Sequence, residues 1–332
     1  MYKVISTFCG IGGSSQGYKQ AGLKVVASVE FLDYQARTYR ANHPTTQVFE
    51  RDIRGLDPLE VLAAVGLAPG ELDIFDGSPP CSSFSTMGSI SDGWGKVKQY
   101  GNTEQRTDDL FLDYVRFLRA IRPKVFVAEN VSGLIKGVSK GHFNHFFQLF
   151  TESQYRVSSK LMNAANYGVP QKRQRLIFVG VRNDLPSELL PVYPTAEQCF
   201  TPASIIDTLP PMSDELRAAL MLNPDTAQYK HWHNAKAGQN FSEVTKGNFS
   251  RVKLSSRQPA PTLTTRCMMD LMHWAEPRCF SIDELKLFQS LPVDYQLTGS
   301  RAEQCEGIGR SVPPKLMQAV ATTIARDILD KL

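Results

Sequence analysis

The sequence lacks several features that would assign it to other protein classes. Its 332 residues include six cysteines, none in a C-x-x-C pair and none at a spacing typical of zinc sites. This pattern predicts reduced thiols in a cytoplasm rather than a disulfide framework. No signal peptide and no apolar run of membrane-spanning length is present, so we expect a soluble protein without membrane association.

Neither sign of charge is in large excess. Lys and Arg number 37 against 33 Asp and Glu, a net charge of +4, which permits a nucleic-acid partner without requiring one. With 42% hydrophobic and 21% charged residues, the composition is that of a globular protein. The length is sufficient for one large domain and a smaller one.

Apolar segments alternate with amphipathic ones through the first half of the chain. The predicted strands are 4–7, 23–29, 72–75, 124–128 and 176–181, and the predicted helices include 33–42, 58–65, 110–118 and 314–329. The alternation indicates an α/β fold with a doubly wound, Rossmann-like, mostly parallel sheet. Ligands of such sheets bind beyond the carboxyl ends of the strands, where Glu30, Asp52, Cys81 and Glu129 fall.

After Arg182 this alternation stops. Residues 184–272 show no clean helical period, and residues 225–266 are rich in Lys and Arg. We therefore predict a smaller irregular domain at 184–275 with a basic face, and a larger catalytic domain formed by 1–183 and 276–332. The segment His231-Trp232-His233 has no Cys or carboxylate at ligand spacing, so we expect a solvent-exposed surface segment and no metal.

A single thiol is presented in an unusual setting. In Pro79-Pro80-Cys81 the prolines stiffen the backbone just after a predicted buried strand. A Ser- and Gly-rich segment with Lys96 and Lys98 follows, at 82–102, and we expect it to act as a flap over a polyanionic substrate. Taken alone, this stretch fits either a nucleophile or a structural free cysteine.

A glycine turn follows the first strand. Gly10-x-Gly12 precedes a predicted helix, as in nucleotide-binding turns, although Ser15 departs from G-x-G-x-x-G. Glu30 is placed to accept two ribose hydroxyls, and Asp52 to accept from an adenine amine. These residues are compatible with hydride transfer from NAD and with methyl transfer from S-adenosylmethionine.

The motifs taken together resemble the cytosine-C5 DNA methyltransferases of bacterial or phage type. The similarity covers nearly the whole chain and keeps the family's motif order. The matching segments begin with Phe8-x-Gly10-x-Gly12-Gly13, Glu30, Asp52-Ile53, Pro79-Pro80-Cys81 and Leu110-Phe111, and continue with Glu129-Asn130-Val131, Gln171-x-Arg173-x-Arg175, Arg257 to Thr264, and Gly307 to Pro313.

The resemblance implies a chemistry for four residues. Cys81 is expected to add as a thiolate to C6 of a flipped cytosine, so that C5 can take a methyl group. Glu129 is expected to hold N3 and the exocyclic amine as an acid, and Arg175 to bind O2. Arg173 is expected to order the loop or to bind a phosphate.

The resemblance also implies S-adenosyl-L-methionine as cofactor and double-stranded DNA as partner. A monomer is expected, and a cognate restriction endonuclease in the same system is left open. The cofactor-binding residues it implies are Phe8, Gly10, Ile11, Gly12, Gly13, Glu30, Phe31, Asp52, Ile53, Pro80, Leu110, Ser311 and Val312. The expected DNA-binding residues are Ser85, Lys96, Lys98, Lys246, Arg251, Lys253 and Arg257.

Two positions depart from the family pattern, and two other functions compete. The last matching segment, Gly307 to Pro313, is the family's tenth motif, and it has Arg310 where the family usually has Asn. This difference bears on cofactor affinity. Phe31 stands where the family often has Trp. One alternative is the tRNA-methylating branch of the same superfamily. Its short signature is partly matched by Cys199-Phe200-Thr201, which we interpret instead as the start of a small helix capped by Thr201. The other alternative is a catalytically silent DNA-binding regulator.

Overall fold

The structure is a computed structural model that describes residues 1–80, 98–100, 103–105, 110–135, 140–196, 200–245 and 251–332. These residues form two compact units. Unit 1 comprises Met1–Asn163, Gln174–Thr195 and Leu316–Leu332, and unit 2 comprises Ala164–Arg173 and Ala196–Lys315. The domain division expected from the sequence, with a smaller domain at 184–275, stays a prediction.

The elements are numbered in chain order. The strands in the described part of the chain are β1 (Lys3–Thr7), β2 (Lys24–Glu30), β3 (Gln47–Glu50), β4 (Ile74–Gly77), β5 (Lys98–Tyr100), β6 (Thr103–Gln105), β7 (Val125–Val131), β8 (Tyr155–Asn163), β9 (Gln171–Lys172), β10 (Gln174–Arg182), β11 (Val252–Lys253), β12 (Ala260–Pro261) and β13 (Leu271–Met272). The α-helices are α1 (Gly13–Gln20), α2 (Asp33–Asn42), α3 (Pro58–Ala64), α4 (Leu110–Ile121), α5 (Lys140–Glu152), α6 (Pro202–Ile206), α7 (Asp214–Leu220), α8 (Ala227–Asn234), α9 (Phe241–Thr245), α10 (Cys267–Asp270), α11 (Ile282–Phe288), α12 (Arg301–Arg310) and α13 (Pro314–Asp327).

Unit 1 is built on a seven-stranded sheet of order β3-β2-β1-β4-β7-β10-β8. The first five strands in this order pair in parallel, and β10 runs antiparallel to both β7 and β8. The predicted doubly wound, mostly parallel α/β fold is therefore confirmed. Because parallel strands share one direction, the carboxyl ends of β1, β2, β3, β4 and β7 lie along one edge of the sheet.

An aromatic cluster fixes the two central strands against α4. The ring of Phe75 in β4 stacks on Tyr114 of α4, with centroids 4.8 Å apart, and Tyr114 also lies edge-on to Phe126 of β7. The hydroxyl of Tyr114 donates to the carbonyl of Val127 at 3.0 Å, so its buried polar group is satisfied. One buried ring system therefore holds both β4, which leads toward Cys81, and β7, which contains Glu129.

Two differences from the prediction concern the sheet. β7 extends to Val131 instead of ending at Ala128, because Leu176 and Arg175 of β10 pair with Asn130 and Val131. β8 was not predicted, since it is an edge strand with few buried positions and therefore lacks a long apolar run.

Unit 2 departs more strongly from the prediction. In its described residues, the segment expected to lack helical pattern contains five short helices, α6 to α10, which are too short to show a period in the sequence. Thr201 is the N-cap residue of α6, as expected. The expectation of a solvent-exposed surface segment at 231–233 was wrong for Trp232, which lies on α8 in a buried apolar cluster and donates from its indole to the carbonyl of His273 at 2.7 Å.

Among the residues that the structure describes, no helix has the length and hydropathy needed to cross a bilayer.

We predict that Gly180→Ala destabilises unit 1 whereas Gly55→Ala does not. A Cβ at Gly180 would overlap the ring of Phe126 on the neighbouring strand, whereas a Cβ at Gly55 would meet no atom within 4 Å. Overpacking of this kind costs about 1–3 kcal/mol of the free energy of unfolding. Urea unfolding of both variants measures the difference, and equal stability of the two would contradict the packing described here.

Candidate active site

The site residues of unit 1 gather at the carboxyl edge of the parallel strands. Thr7, the last residue of β1, pairs with Val29 on one side and Gly77 on the other. Glu30 is the last residue of β2, and Gly77 of β4 pairs with Ala128, which directly precedes Glu129. This parallel register thus brings residues from four distant segments to one edge.

The glycine turn adopts a backbone that few residues tolerate. Phe8, Gly10 and Gly12 have φ angles of 53°, 56° and 93°, all in the left-handed region. A Cβ at Gly10 would come 2.9 Å from the side-chain oxygen of Gln35, so both conformation and space favour glycine there. The turn ends at Gly13, where α1 begins with its amide groups directed toward the edge of the sheet.

The carboxylate of Glu30 holds this turn. Its Oε2 accepts from the Gly10 amide at 2.8 Å, and its Oε1 accepts from the amides of Phe31 at 3.0 Å and Leu32 at 2.9 Å. Three of the roughly four acceptor positions of a carboxylate are therefore occupied by backbone donors. The first role of Glu30 is thus to shape the turn, and its predicted contact with two ribose hydroxyls stays a prediction.

Asp52 also has a local structural role. Its carboxylate caps a short 3-10 turn, accepting from the Arg54 amide at 3.0 Å and from the Arg54 guanidinium at 3.0 Å. Two apolar side chains predicted to contact the cofactor, Ile53 and Leu110, are buried in the core of unit 1. The residues at this edge fit a nucleoside. Carboxylates can accept from its hydroxyls and its amine, and apolar and aromatic side chains can pack against its base. The absence of a Cβ at Gly10 and Gly12 lets a ligand approach the backbone of the turn closely.

Asn130 connects β7 to the segment that leads to Cys81. Its side-chain amide donates to the carbonyl of Pro79 at 3.4 Å, and its side-chain oxygen accepts from the Val131 amide at 2.8 Å. Pro79 is buried and Pro80 half-buried, so this backbone is held just before the thiol. Cys81 itself lies outside the described residues.

Glu129 and Arg175 form an ion pair beside this anchor. The Arg175 Nε lies 2.7 Å from Glu129 Oε1, with 14% and 10% of the two side chains exposed. The Arg175 guanidinium also donates to the carbonyl of Gln174 at 2.7 Å. Burial lowers the pKa of Arg175, and the charge and hydrogen bond of Glu129 oppose that effect. Two of the predicted catalytic residues are thus brought into direct contact.

Arg173 is placed differently. It is 1% exposed, and its guanidinium donates to the backbone carbonyls of Leu263 at 3.1 Å and Gly309 at 2.9 Å, and more weakly to that of Arg310. All four residues belong to unit 2. These contacts favour the loop-ordering alternative over a phosphate contact, and a catalytic role for Arg173 stays a prediction.

Two buried glutamines tie the same segments together. Gln171 donates to Gln289 Oε1 at 2.8 Å and accepts from the Leu263 amide at 3.0 Å. Gln289, which is fully buried, donates in turn to the carbonyl of Ser311. Ser311 and Val312, predicted to bind the cofactor, are therefore held in unit 2 by a chain of amide side chains.

Arg310, which stands where the family usually has Asn, forms an ion pair within its own helix. Its guanidinium lies 2.6 Å from Glu306 Oε1, one turn earlier on α12. The neighbouring Gly309 has no room for a side chain, since a Cβ there would overlap the backbone at Thr264. The charge of Arg310 is thus partly neutralised on α12, and its effect on cofactor affinity stays a prediction.

The predicted DNA-binding residues are only partly described. Ser85, Lys96 and Lys246 lie outside the described residues, and Lys98 is described only as backbone in β5. Arg257 is exposed, and Arg251 is half-buried and donates to Gln228. Lys253 lies over the Trp232 ring at 3.6 Å and donates to the Trp232 carbonyl, so its ammonium is engaged inside unit 2.

Three side chains with clear contacts were assigned no role from the sequence. They are Asn130, which anchors Pro79, Gln289, and the buried Asp76 in β4. An acidic residue directly after an apolar strand was a usable signal for Asp76. For Gln289 the sequence offers no signal, because a glutamine at the end of a helix is usually solvated.

Comparison with known proteins gives a consistent result. The family model described as C-5 cytosine-specific DNA methylase matches residues 2–326. The type II methyltransferase M1.HphI of Haemophilus parahaemolyticus is 28% identical, over 97% of this chain and 86% of its own length. A solved DNA modification methyltransferase encoded within an E. coli prophage aligns with a TM-score of 0.78 at 20% identity, over 99% of this chain and 100% of that one. The Dnmt2 methyltransferase of S. pombe aligns with a TM-score of 0.67 at 14% identity, over 98% of each chain.

We predict that Glu129 and Arg175 are energetically coupled. Glu129→Gln leaves a largely buried guanidinium without its counter-charge, which we expect to lower the free energy of unfolding by about 2–3 kcal/mol. The double variant Glu129→Gln/Arg175→Gln should lose less than the sum of the single variants, with a coupling of about 1–3 kcal/mol. A double-mutant cycle followed by urea unfolding measures this.

The exposed pair Arg37–Asp33, with 50% and 60% of its side chains exposed, is the matched control. Its coupling should be below about 0.5 kcal/mol. Additive losses at Glu129 and Arg175 would count against the ion pair as a stabilising contact.

Proposed function

Since the chain belongs to the C-5 cytosine-specific DNA methylases, we propose that Cys81, Glu129 and Arg175 act together on one cytosine ring. The protein is a DNA (cytosine-5-)-methyltransferase that uses S-adenosyl-L-methionine. The observation that carries the assignment of roles is the ion pair between Arg175 and Glu129, 2.7 Å apart, next to the segment that leads into Cys81.

The Cys81 thiolate is the proposed nucleophile. It adds to C6 of the ring and raises the electron density at C5, which is otherwise a poor nucleophile. After the methyl group has bonded to C5, the C5 proton leaves to a base, for which a bound water is our proposal, and the thiolate is eliminated from C6. The thiolate is thereby regenerated without a change of oxidation state, because the ring has exchanged its C5 proton for the methyl group.

Glu129 and Arg175 are proposed to bind the edge of the same ring. Negative charge develops toward N3 and O2 as the thiolate adds, and these two atoms are separated by a single ring carbon. Side chains that lie 2.7 Å apart can therefore address both atoms together. We propose that Glu129, once it has taken up a proton, donates to N3 and also accepts from the exocyclic amine, while Arg175 stabilises O2.

The glycine turn and the neighbouring strand ends are proposed to hold the cofactor. When bound, S-adenosyl-L-methionine supplies an electrophilic methyl group on a sulfonium. The amides after Gly12 and the carboxylates of Glu30 and Asp52 would bind its polar groups, with Phe31 against the adenine face. Pro80, Leu110, Ser311 and Val312 are proposed to complete the site.

Duplex DNA is the proposed substrate form, with the target cytosine flipped out of the helix. Unstacking costs a few kcal/mol, which contacts to the ring edge offset. We propose that the domain at 184–275 reads the sequence, and that Arg251, Lys253, Arg257 and Lys246 contribute phosphate or base contacts. Ser85, Lys96 and Lys98 are proposed to contact the DNA backbone near the target nucleotide.

The setting of the enzyme is proposed on the same basis. We propose a cytoplasmic enzyme that acts as a monomer. The monomer is proposed because no second chain is needed to supply Cys81, Glu129 or Arg175. A cognate restriction endonuclease is the proposed partner system, as the relative M1.HphI is named a type II methyltransferase.

We predict that Cys81→Ser abolishes methyl transfer while cofactor and duplex binding persist. A serine hydroxyl at neutral pH is a far weaker nucleophile than a thiolate, so the loss should exceed about a thousandfold. Cys279→Ser, a half-buried free thiol in unit 2, is the control and should keep its activity. Duplex containing 5-fluorocytosine, supplied with the methyl donor, should become covalently attached to the unmodified protein and to Cys279→Ser but not to Cys81→Ser. Activity of the Cys81 variant would overturn the mechanism.

We predict that duplex DNA, and not tRNA, accepts the methyl group. Purified protein is incubated with radiolabelled cofactor and either substrate, and bisulfite sequencing of DNA from expressing cells then reads the sequence context. Labelling of tRNA alone would favour the tRNA-methylating branch, and binding of DNA without cofactor binding would favour the silent regulator.

A further inference from the structure

A buried carboxyl group in β4 has no part in the proposed chemistry. Asp76 is 1% exposed and lies in the middle of the sheet, between β1 and β7. It follows Phe75, whose ring packs on α4, so the alternation of side chains along a strand directs Asp76 to the opposite face. That face is covered by α1, the helix that follows the glycine turn.

Four hydroxyl groups bind this residue, and all come from the elements on either side of the glycine turn. Ser6 in β1 donates to Asp76 Oδ2 at 2.7 Å, and Thr7 donates to the Asp76 backbone carbonyl at 3.3 Å. In α1, Tyr18 donates to Oδ1 at 3.1 Å and Ser14 to the same oxygen at 3.5 Å. One carboxyl group therefore ties the entry and the exit of the turn to β4.

The same short segment is held from its other side. Pro79, three residues after Asp76, has its carbonyl bound by Asn130 of β7. The chain that leads into Cys81 is thus bonded to the glycine turn through Asp76 and to the strand of Glu129 through Pro79. These side-chain bonds add to the backbone pairing of Thr7 with Gly77 in the sheet.

The charge of Asp76 changes near neutral pH. Burial raises its pKa to about 7, the hydroxyls of Ser6, Tyr18 and Ser14 lower it, and the charge of Glu129 on β7 raises it. The other ionisable groups around it are Tyr18 of α1, Tyr114 of α4 and Cys9 of the turn. Burial raises the pKa of each of these three, so they remain neutral around pH 7.

The effect of this shift on stability has a defined sign. An unfolded Asp has its ordinary pKa of about 3.8, whereas the folded group holds its proton up to a pH of about 7. Its stabilising contribution is therefore fully present below a pH of about 4 and is lost as the pH rises through about 7. The ionised form in exchange accepts stronger, charge-assisted hydrogen bonds from the three hydroxyls.

We propose that Asp76 is a positioning residue for methyl transfer: as a carboxylate it draws the glycine turn and α1 onto β4 and so sets the affinity for the cofactor. The proposal rests on the proposed function of the glycine turn. It predicts that cofactor affinity rises as the carboxyl group ionises, whereas the chemical step, which Cys81, Glu129 and Arg175 carry out, is affected less.

Asp76→Asn tests this, because the amide keeps the shape of the protonated carboxyl group and cannot ionise. Calorimetric titration of the free protein with S-adenosyl-L-methionine at pH 6 and pH 8 should show tighter binding by the unmodified protein at pH 8, by about three- to tenfold. The variant should bind with the low-pH affinity at both values. In assays, its KM for the cofactor at pH 8 should rise more than its kcat falls.

Two further variants keep the test decisive. Asp73→Asn is the matched control. Asp73 directly precedes β4, and its carboxylate accepts from the Lys124 ammonium and from the Lys3 amide. It should keep the pH dependence of cofactor binding. Tyr18→Phe removes one donor and keeps the ring, so it should weaken binding at pH 8 but not at pH 6, and it serves if Asp76→Asn does not fold.

A readout without cofactor is the pH dependence of unfolding. The loss of stability between about pH 4 and 7 should disappear in Asp76→Asn and persist in Asp73→Asn. If Asp76→Asn keeps the pH-dependent affinity of the unmodified protein, or if Asp73→Asn loses it as well, the proposal is overturned. If the unmodified protein binds no S-adenosyl-L-methionine, it is the proposed role of the glycine turn that fails.

Discussion

The antiparallel register between β7 and β10 is the constraint on which the site depends. Ile177 lies opposite Glu129, so Arg175, two residues away on the same face, is the diagonal neighbour of that carboxylate. A slip by one residue would turn Arg175 to the other face and leave Glu129 without its partner. Packing also specifies this register, because Gly180 lies opposite Phe126 and a Cβ at that position would overlap the Phe126 ring. Core packing and the proposed catalytic pair are thus determined by the same strand.

In unit 2, segments that are far apart in sequence meet through the side chains of Gln171 and Arg173. Arg173 bonds carbonyls 90 and 136 residues away, and Gln171 bonds an amide 92 residues away. β9 and β12 pair in parallel over the same residues. Polar side chains suit these buried positions because the backbone groups there need partners, since an unpaired buried carbonyl or amide is costly. A polar motif can therefore serve to close a fold as well as to perform chemistry.

Much of the fold of unit 1 could be predicted from the sequence. The helix at 33–42 is observed with the predicted bounds, and β1, β2 and α4 differ by only a few residues at their ends. These segments have long apolar periods that few alternatives satisfy. β8 and the helices α7 to α10 could not be predicted, because β8 is an edge strand and these helices have only four to eight residues. Of the site, residue identity and order indicated Glu129 and Arg175, whereas the buried roles of Gln289 and Asp76 depend on tertiary contacts that no local pattern encodes.

The turn formed by Phe8, Gly10 and Gly12 has a consequence for the thermodynamics of ligand capture. Its left-handed backbone is held within the protein by the bond from the Gly10 amide to Glu30, whose carboxylate also accepts from the amides of Phe31 and Leu32. The turn loses its conformational entropy when the chain folds, so ordering the turn contributes little unfavourable free energy to ligand binding. A preorganised cradle of this kind lets a small molecule dock with most of its contact energy intact.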